Sequence, residues 1–322
     1  MSAVVAEIVR SGVVEGHHHG SVVALGADGE VAYAAGDVDS AMLPRSCNKP
    51  VQALAMVRHG LDLPPDLLAL ASGSHSGERF HVEGVRRILA SAGLTEDALQ
   101  NPPDYPLAPD IRDEVIRAGG APTRPSMNCS GKHSAMLATC VANRWPIDSY
   151  LDVGHPLQQA IAATFPELTG EPIAHVATDG CGAPLLSASL TGLARAFARL
   201  ATATDGPERR VADAIRAHPE FVSGTTRDER TLLTAIPGAI GKMGAESVYV
   251  VALPDGRSVA LKIDDGADRA RPIVMAATLQ LLGWDTGSTV AGVIDTEAVR
   301  ATGRHPLLGG GVQVGEIRAA LR

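Results

Sequence analysis

Ser46 and Lys49 stand three residues apart in Arg45-Ser46-Cys47-Asn48-Lys49-Pro50, at the mouth of an expected helix, where side chains at i and i+3 share a face. A serine hydroxyl becomes a useful nucleophile once a base takes its proton, and a lysine amine can do so when burial lowers its pKa towards neutrality. A helix start also offers backbone N–H groups to a developing oxyanion. The competing reading is a plain helix start with a solvated lysine. Pro50 weakens it, because a proline in the first turn fixes the backbone beside Lys49.

Two short motifs follow in order. Ser126-Met127-Asn128 has the form Ser-x-Asn, and Lys242-Met243-Gly244 has the form Lys-x-Gly, ahead of an expected strand at residues 248–252. The order Ser-x-x-Lys, Ser-x-Asn, Lys-x-Gly is that of serine β-lactamases and penicillin-binding proteins. As bare sequence, Lys242 could equally be a loop lysine and Gly244 a turn glycine. Ser72-Gly73-Ser74-His75-Ser76-Gly77-Glu78 gathers hydroxyls, a histidine and glycines. Such a loop can bring a hydroxyl and backbone N–H groups to a substrate, or it can cap the next helix through Ser74 or Ser76.

Cys129 and Cys181 both sit at glycine-punctuated turns, in Asn128-Cys129-Ser130-Gly131-Lys132-His133 and Thr178-Asp179-Gly180-Cys181-Gly182. Two thiolates with a nitrogen ligand could hold zinc and leave one position open. No C-x-x-C or H-x-H spacing accompanies them, so buried free thiols or a redox-sensitive pair are the alternatives. Cys47 and Cys140 fall in helical patterns and read as packing. His17-His18-His19, between Gly16 and Gly20, reads as a solvated turn, and Lys262 sits in an alternating strand pattern, facing either a site or solvent.

The elements that must position these residues are short. Strands are expected at residues 4–14, 21–25 and 31–35, the last two joined by a Gly26-Ala27-Asp28-Gly29 turn. Helical spacing marks residues 47–59, 65–70, 81–92, 131–143, 157–165, 185–200, 211–217 and 271–282, and a hairpin spans 248–263. Residues 101–125, rich in Pro and Asp, read as an irregular lid or crossing loop. Strands towards both ends and helices between them predict an α+β fold, with an antiparallel sheet built from N- and C-terminal segments around a helical centre.

Bulk composition narrows the function. The 322 residues are 45% hydrophobic and 3% aromatic, so one large core of Ala, Val, Leu and Ile is expected, and no linker divides residues 1–322 into separate domains. The net charge of −8 and the scattered Lys and Arg leave no footprint for nucleic acid. No apolar run is long enough for a transmembrane helix, and Glu7 interrupts the N-terminus where a secretory signal needs an apolar stretch. Four cysteines in this length make no disulfide framework, so a reduced, cytoplasmic protein is expected.

Together the Arg45-Ser46-x-x-Lys49-Pro50, Ser74-His75-Ser76-Gly77-Glu78, Cys-Ser-Gly-Lys-His, Asp-Gly-Cys-Gly and Gly241-Lys242-x-Gly244 segments resemble the L-asparaginase II family of the rhizobial inducible type, over residues 9–282. The resemblance implies a fold related to serine β-lactamases and glutaminases, and hydrolysis of the L-asparagine side-chain amide. Carried over residue by residue, it implies Ser46 as nucleophile with Lys49 as base, and Ser74 with Lys242 as a second pair. Lys262 and Ser76 are the alternatives within that pair. It further implies zinc held by Cys129, Lys132 and Cys181, orienting the substrate and not activating water, with Arg45, His133 and Asp179 lining the pocket. A lysine ligand must be neutral, so such binding weakens as pH falls. A homodimer is implied in the same way. Glutaminase is a close rival, since one methylene is worth only ~1–3 kcal/mol of discrimination. A β-lactamase-like hydrolase and a non-catalytic metal- or amino-acid-binding protein are the others.

Overall fold

The computed structural model describes residues 1–321, which fold as two compact units. The first comprises Met1–Cys47, Ala188–Thr202 and the chain from Thr231 onward. Its centre is an eight-stranded antiparallel sheet. Strands run side by side in the order His305–Gly309, Val312–Ala319, Ala3–Arg10, Val13–Leu25, Ser258–Ile263, Val248–Ala252 and Ile240–Gly244, and Val31–Ala35 also pairs with Val13–Leu25. Register is set by pairs such as Ala6 with Ala319 and Val23 with Ala260. Every residue of Val248–Ala252 is buried, as expected of a strand covered on both faces. The helix Leu190–Thr202 lies against this part of the sheet and buries Leu190, Leu193, Ala194, Phe197 and Leu200, a stripe at i, i+3, i+4, i+7 and i+10.

The second unit, Asn48–Ser187 with Ala203–Arg230, is helical. Helix Lys49–Arg58 packs on Pro156–Thr169, Arg79–Ser91 packs on Ser130–Asn143, and Pro65–Ala71 packs on Gly206–Ala217. A short hairpin of Val176–Thr178 and Pro184–Leu186 carries the Asp-Gly-Cys-Gly turn.

The expected α+β class is what the topology gives: strands from both ends of the chain share one antiparallel sheet, and helices fill the middle. Several local expectations are corrected. Ser11 and Gly12, with φ of 49° and 83°, turn the chain, so residues 4–14 do not run as one strand. The triple histidine lies inside strand Val13–Leu25, not in a turn, and His18 is buried with Nδ1 2.5 Å from Asp265 Oδ2. Residues 101–125 contain a helix, Pro109–Arg117. Residues 185–200 divide into the strand Pro184–Leu186 and the helix that begins at Leu190. The terminal strands His305–Gly309 and Val312–Ala319 lie beyond where the sequence pattern was legible.

Candidate active site

In the helical unit, Lys49 opens the helix Lys49–Arg58, with Pro50 in its first turn, and is 1% exposed. Its Nζ donates to Gly73 O at 2.6 Å and to Ser74 Oγ at 2.8 Å. Gly73 and Ser74 are held in place by Val222, whose carbonyl accepts from Ser74 N at 2.7 Å. A Cβ on Gly73 would lie 2.5 Å from that same carbonyl, so only glycine permits the approach. Arg227 donates to Ser74 O at 3.0 Å. Neither Val222 nor Arg227 carried a sequence signal, and no local motif could have pointed to them.

The rest of the Ser-His-Ser-Gly-Glu loop is structural. His75 Nε2 lies 2.8 Å from Ser130 Oγ, which itself donates to Pro125 O, so the ring nitrogen is the donor. His75 Nδ1 accepts from Gly77 N, and His81 stacks on it at 5.0 Å. Burial, aided by His81, pushes His75 well below the usual histidine range, and burial lowers His81 to about 4. Ser76 donates to Ser223 O, and Glu78 accepts from Thr225 N and Oγ1. The N-cap of Arg79–Ser91 is Glu78, in place of the expected Ser74 or Ser76.

The cysteine motifs converge in the same unit. Cys129 is the N-cap residue of helix Ser130–Asn143, and Cys181 lies in the turn where Gly182 N donates to Asp179 O with Gly182 at φ 88°. Ligand atoms of Cys129, Asp179 and Cys181 all lie within 4.8 Å of one another. Lys132 Nζ is 3.1 Å from Cys181 Sγ, and Asp179 Oδ2 is 3.7 Å from it. Both thiols are buried against Met127, Ala183 and Leu151. The Cys129 thiol, followed by the Lys132 cation, holds Cys181 far below the usual thiol range, whereas the Cys181 hydrogen bond and burial push Cys129 up. Burial opposes charge on Lys132, yet Cys181 and Cys129 keep it above its ordinary value. Two sulfurs and a carboxylate within this span, with the Lys132 amine 3.1 Å from one of the sulfurs, form a donor set suited to zinc. His133 follows Lys132 on the helix, its Nδ1 2.7 Å from Tyr150 Oη.

In the sheet unit, Ser46 lies in the 3-10 turn Arg45–Asn48 and is 8% exposed. Arg45 precedes it at φ 51°, a left-handed conformation that costs a non-glycine residue energy. Arg45 also pairs with Glu246 at 3.4 Å. Lys242, on strand Ile240–Gly244, is fully buried and donates to Met243 O at 2.8 Å. Its own carbonyl accepts from Cys47 Sγ at 3.0 Å. A Cβ on Gly244 would sit 2.7 Å from Pro44 O and 3.3 Å from Ser46 N, so the glycine of Lys-x-Gly permits close passage of the Ser46 backbone. Lys262 is half-buried and donates to Glu246 O at 2.9 Å, and burial lowers its pKa. Ser126 Oγ is spent on Asp104 O at 2.6 Å and on Thr123.

The sequence profile of the L-asparaginase II family matches residues 6–319. No curated protein matches the chain in sequence. Among solved structures, a β-lactamase from Mycobacterium bovis is 15% identical, with a TM-score of 0.46 over 81% of this chain and 94% of that one. A Bacillus glutaminase is 12% identical, with a TM-score of 0.45 over 82% and 91%.

Proposed function

The chain belongs to the L-asparaginase II family, and on that premise we propose that this amidohydrolase converts L-asparagine to L-aspartate and ammonia by Ser/Lys catalysis. What supports the reading is a buried lysine amine, Lys49 Nζ, held 2.8 Å from Ser74 Oγ in a glycine-framed loop. Ser46, three residues before Lys49, attacks the amide carbon, and Lys49 takes the hydroxyl proton. The tetrahedral adduct collapses as Lys49 passes that proton to the departing nitrogen, releasing ammonia and leaving an aspartyl ester on the serine. Water, deprotonated by the same amine, then frees aspartate and restores the hydroxyl. Ser74 and Lys242 form the second pair of this reading.

Cys129, Lys132 and Cys181, with Asp179 beside them, suit a zinc ion. When bound, zinc would fix the α-amino and carboxylate groups of the substrate and supply no nucleophile. The chain's own share of that task falls to the pocket residues Arg45, His133 and Asp179. Asparagine is preferred here over glutamine on the family premise.

A second reading has one specific observation in its favour. Because Lys49 Nζ contacts Ser74 Oγ, Ser74 is an alternative nucleophile. A diazoketone analogue of asparagine, which alkylates an activated hydroxyl, separates the two. Peptide mass mapping is expected to place the adduct on Ser46. An adduct on Ser74 would exchange the roles, and an adduct on neither serine would remove covalent serine catalysis.

A further inference from the structure

Tyr150 belongs to no motif and lies outside the machinery described above, yet its hydroxyl is fully buried beside the cysteine cluster. It has two partners: Gln100 N at 3.1 Å and His133 Nδ1 at 2.7 Å. A backbone N–H can only donate, so the phenolic oxygen accepts from Gln100 and has its own O–H left to give. The acceptor in reach is His133 Nδ1. If Nδ1 carried a proton instead, the phenolic O–H would be buried with nothing to receive it. The imidazole proton therefore resides on Nε2.

We propose that Tyr150 is a positioning residue that holds His133 in its Nε2–H tautomer, so that His133 meets the Cys129–Cys181 pocket as a hydrogen-bond donor and not as a metal ligand. His133 Nε2 is buried, and the side chain its ring can hydrogen-bond is Cys181. Cys181 is the neighbour whose ionisation it influences. A bare ring nitrogen beside Lys132 and Cys181 would be a natural further ligand for a cation; a protonated one is not. What it can meet is an acceptor: the Cys181 thiolate, or the α-carboxylate of an amino-acid substrate. The mount is rigid. Tyr150 O accepts from Gln158 Nε2 at 2.8 Å, Gln100 Nε2 donates to Asp148 O at 2.9 Å, and the Tyr150 and His133 rings meet edge to face at 79°.

The tautomer assignment stands on this geometry alone, whereas its use against a carboxylate rests on the amidohydrolase reading. The experiment is long-range 1H–15N spectroscopy of the full chain labelled at histidine, with His133 assigned from its loss in His133→Asn. Wild type is expected to carry its proton on Nε2 with Nδ1 bare, and added Zn2+ is expected to leave that proton in place. Tyr150→Phe, which keeps the ring and deletes the hydroxyl, is expected to mix the two tautomers. It is also expected to raise KM for asparagine about tenfold while moving kcat far less, the size of one hydrogen bond to a charged group. A proton on Nδ1 in wild type, or displacement of the Nε2 proton by Zn2+, overturns the proposal even if Tyr150→Phe does not fold. A correct tautomer in a protein that releases no ammonia would overturn the function and leave the lock standing.

Discussion

Lys132 Nζ lies 3.1 Å from Cys181 Sγ, in an apolar cluster that includes Cys129 and Leu151. Cys129→Ser and Cys181→Ser are expected to lower bound zinc, read by elemental analysis. They should also raise KM more than they lower kcat, because the cluster orients substrate and performs no bond breaking. Absence of metal from wild type, with both thiols alkylated and no loss of turnover, contradicts this. His81 makes a separate prediction. Its pKa falls from 6.5 to about 4 on burial, so between those values only the unfolded chain takes up the proton. Stability is full above pH 6.5 and declines as pH drops to 4, by roughly 3 kcal/mol for this residue, with His75 acting in the same sense. Denaturant midpoints at pH 7 and 4.5 should diverge in wild type and draw closer in His81→Gln. At this scale the cysteine motifs were legible because glycine turns and a Cys-Ser-Gly-Lys-His run are rare together. The Lys49–Ser74 contact was not, because it depends on a backbone bond from Ser74 to Val222, 148 positions along the chain.

Each chemical group is set by a short element under tight backbone constraint. The Lys-x-Gly strand brings Gly244 against Pro44 and Ser46, and a methyl there would meet backbone, which cannot swing aside. Gly244→Ala is therefore expected to displace the Ser46 turn, with activity falling at least tenfold while stability changes by about 1–3 kcal/mol. Turnover at the wild-type rate would show that Ser46 tolerates displacement. The elements themselves were read best where periodicity was long, as in Ser130–Asn143 and Arg271–Leu281. They were misread where short polar runs lie in strands. Gly16, the histidines and Gly20 look like a turn, but antiparallel pairing with Ala3–Arg10 on one side and Ser258–Ile263 on the other holds the segment extended. Pro184–Leu186 is too short to show an alternation, and its apolar run merged into the next helix pattern.

At the scale of the whole molecule, the sheet that gathers both ends of the chain is what the distribution of strands predicted, and the helical insertion between them carries Lys49, Ser74 and the cysteine pocket in one unit. Four buried free cysteines accord with the expectation of no disulfide framework. No helix among the described residues is long and apolar enough to cross a membrane. Family membership makes the chain an amidohydrolase, and which amide it cleaves is a property of the assembled protein that no single side chain reports. The most direct measurement is simultaneous ammonia and aspartate release from asparagine by wild type and by Lys49→Met, with glutamine as competitor substrate. Wild type is expected to release equal amounts of both products, to act more slowly on glutamine, and to lose about 100- to 10,000-fold of its rate in the variant, the range of a lost general base. Undiminished turnover by Lys49→Met, or no ammonia from asparagine with the wild-type protein, would rule out Lys49-dependent asparagine hydrolysis.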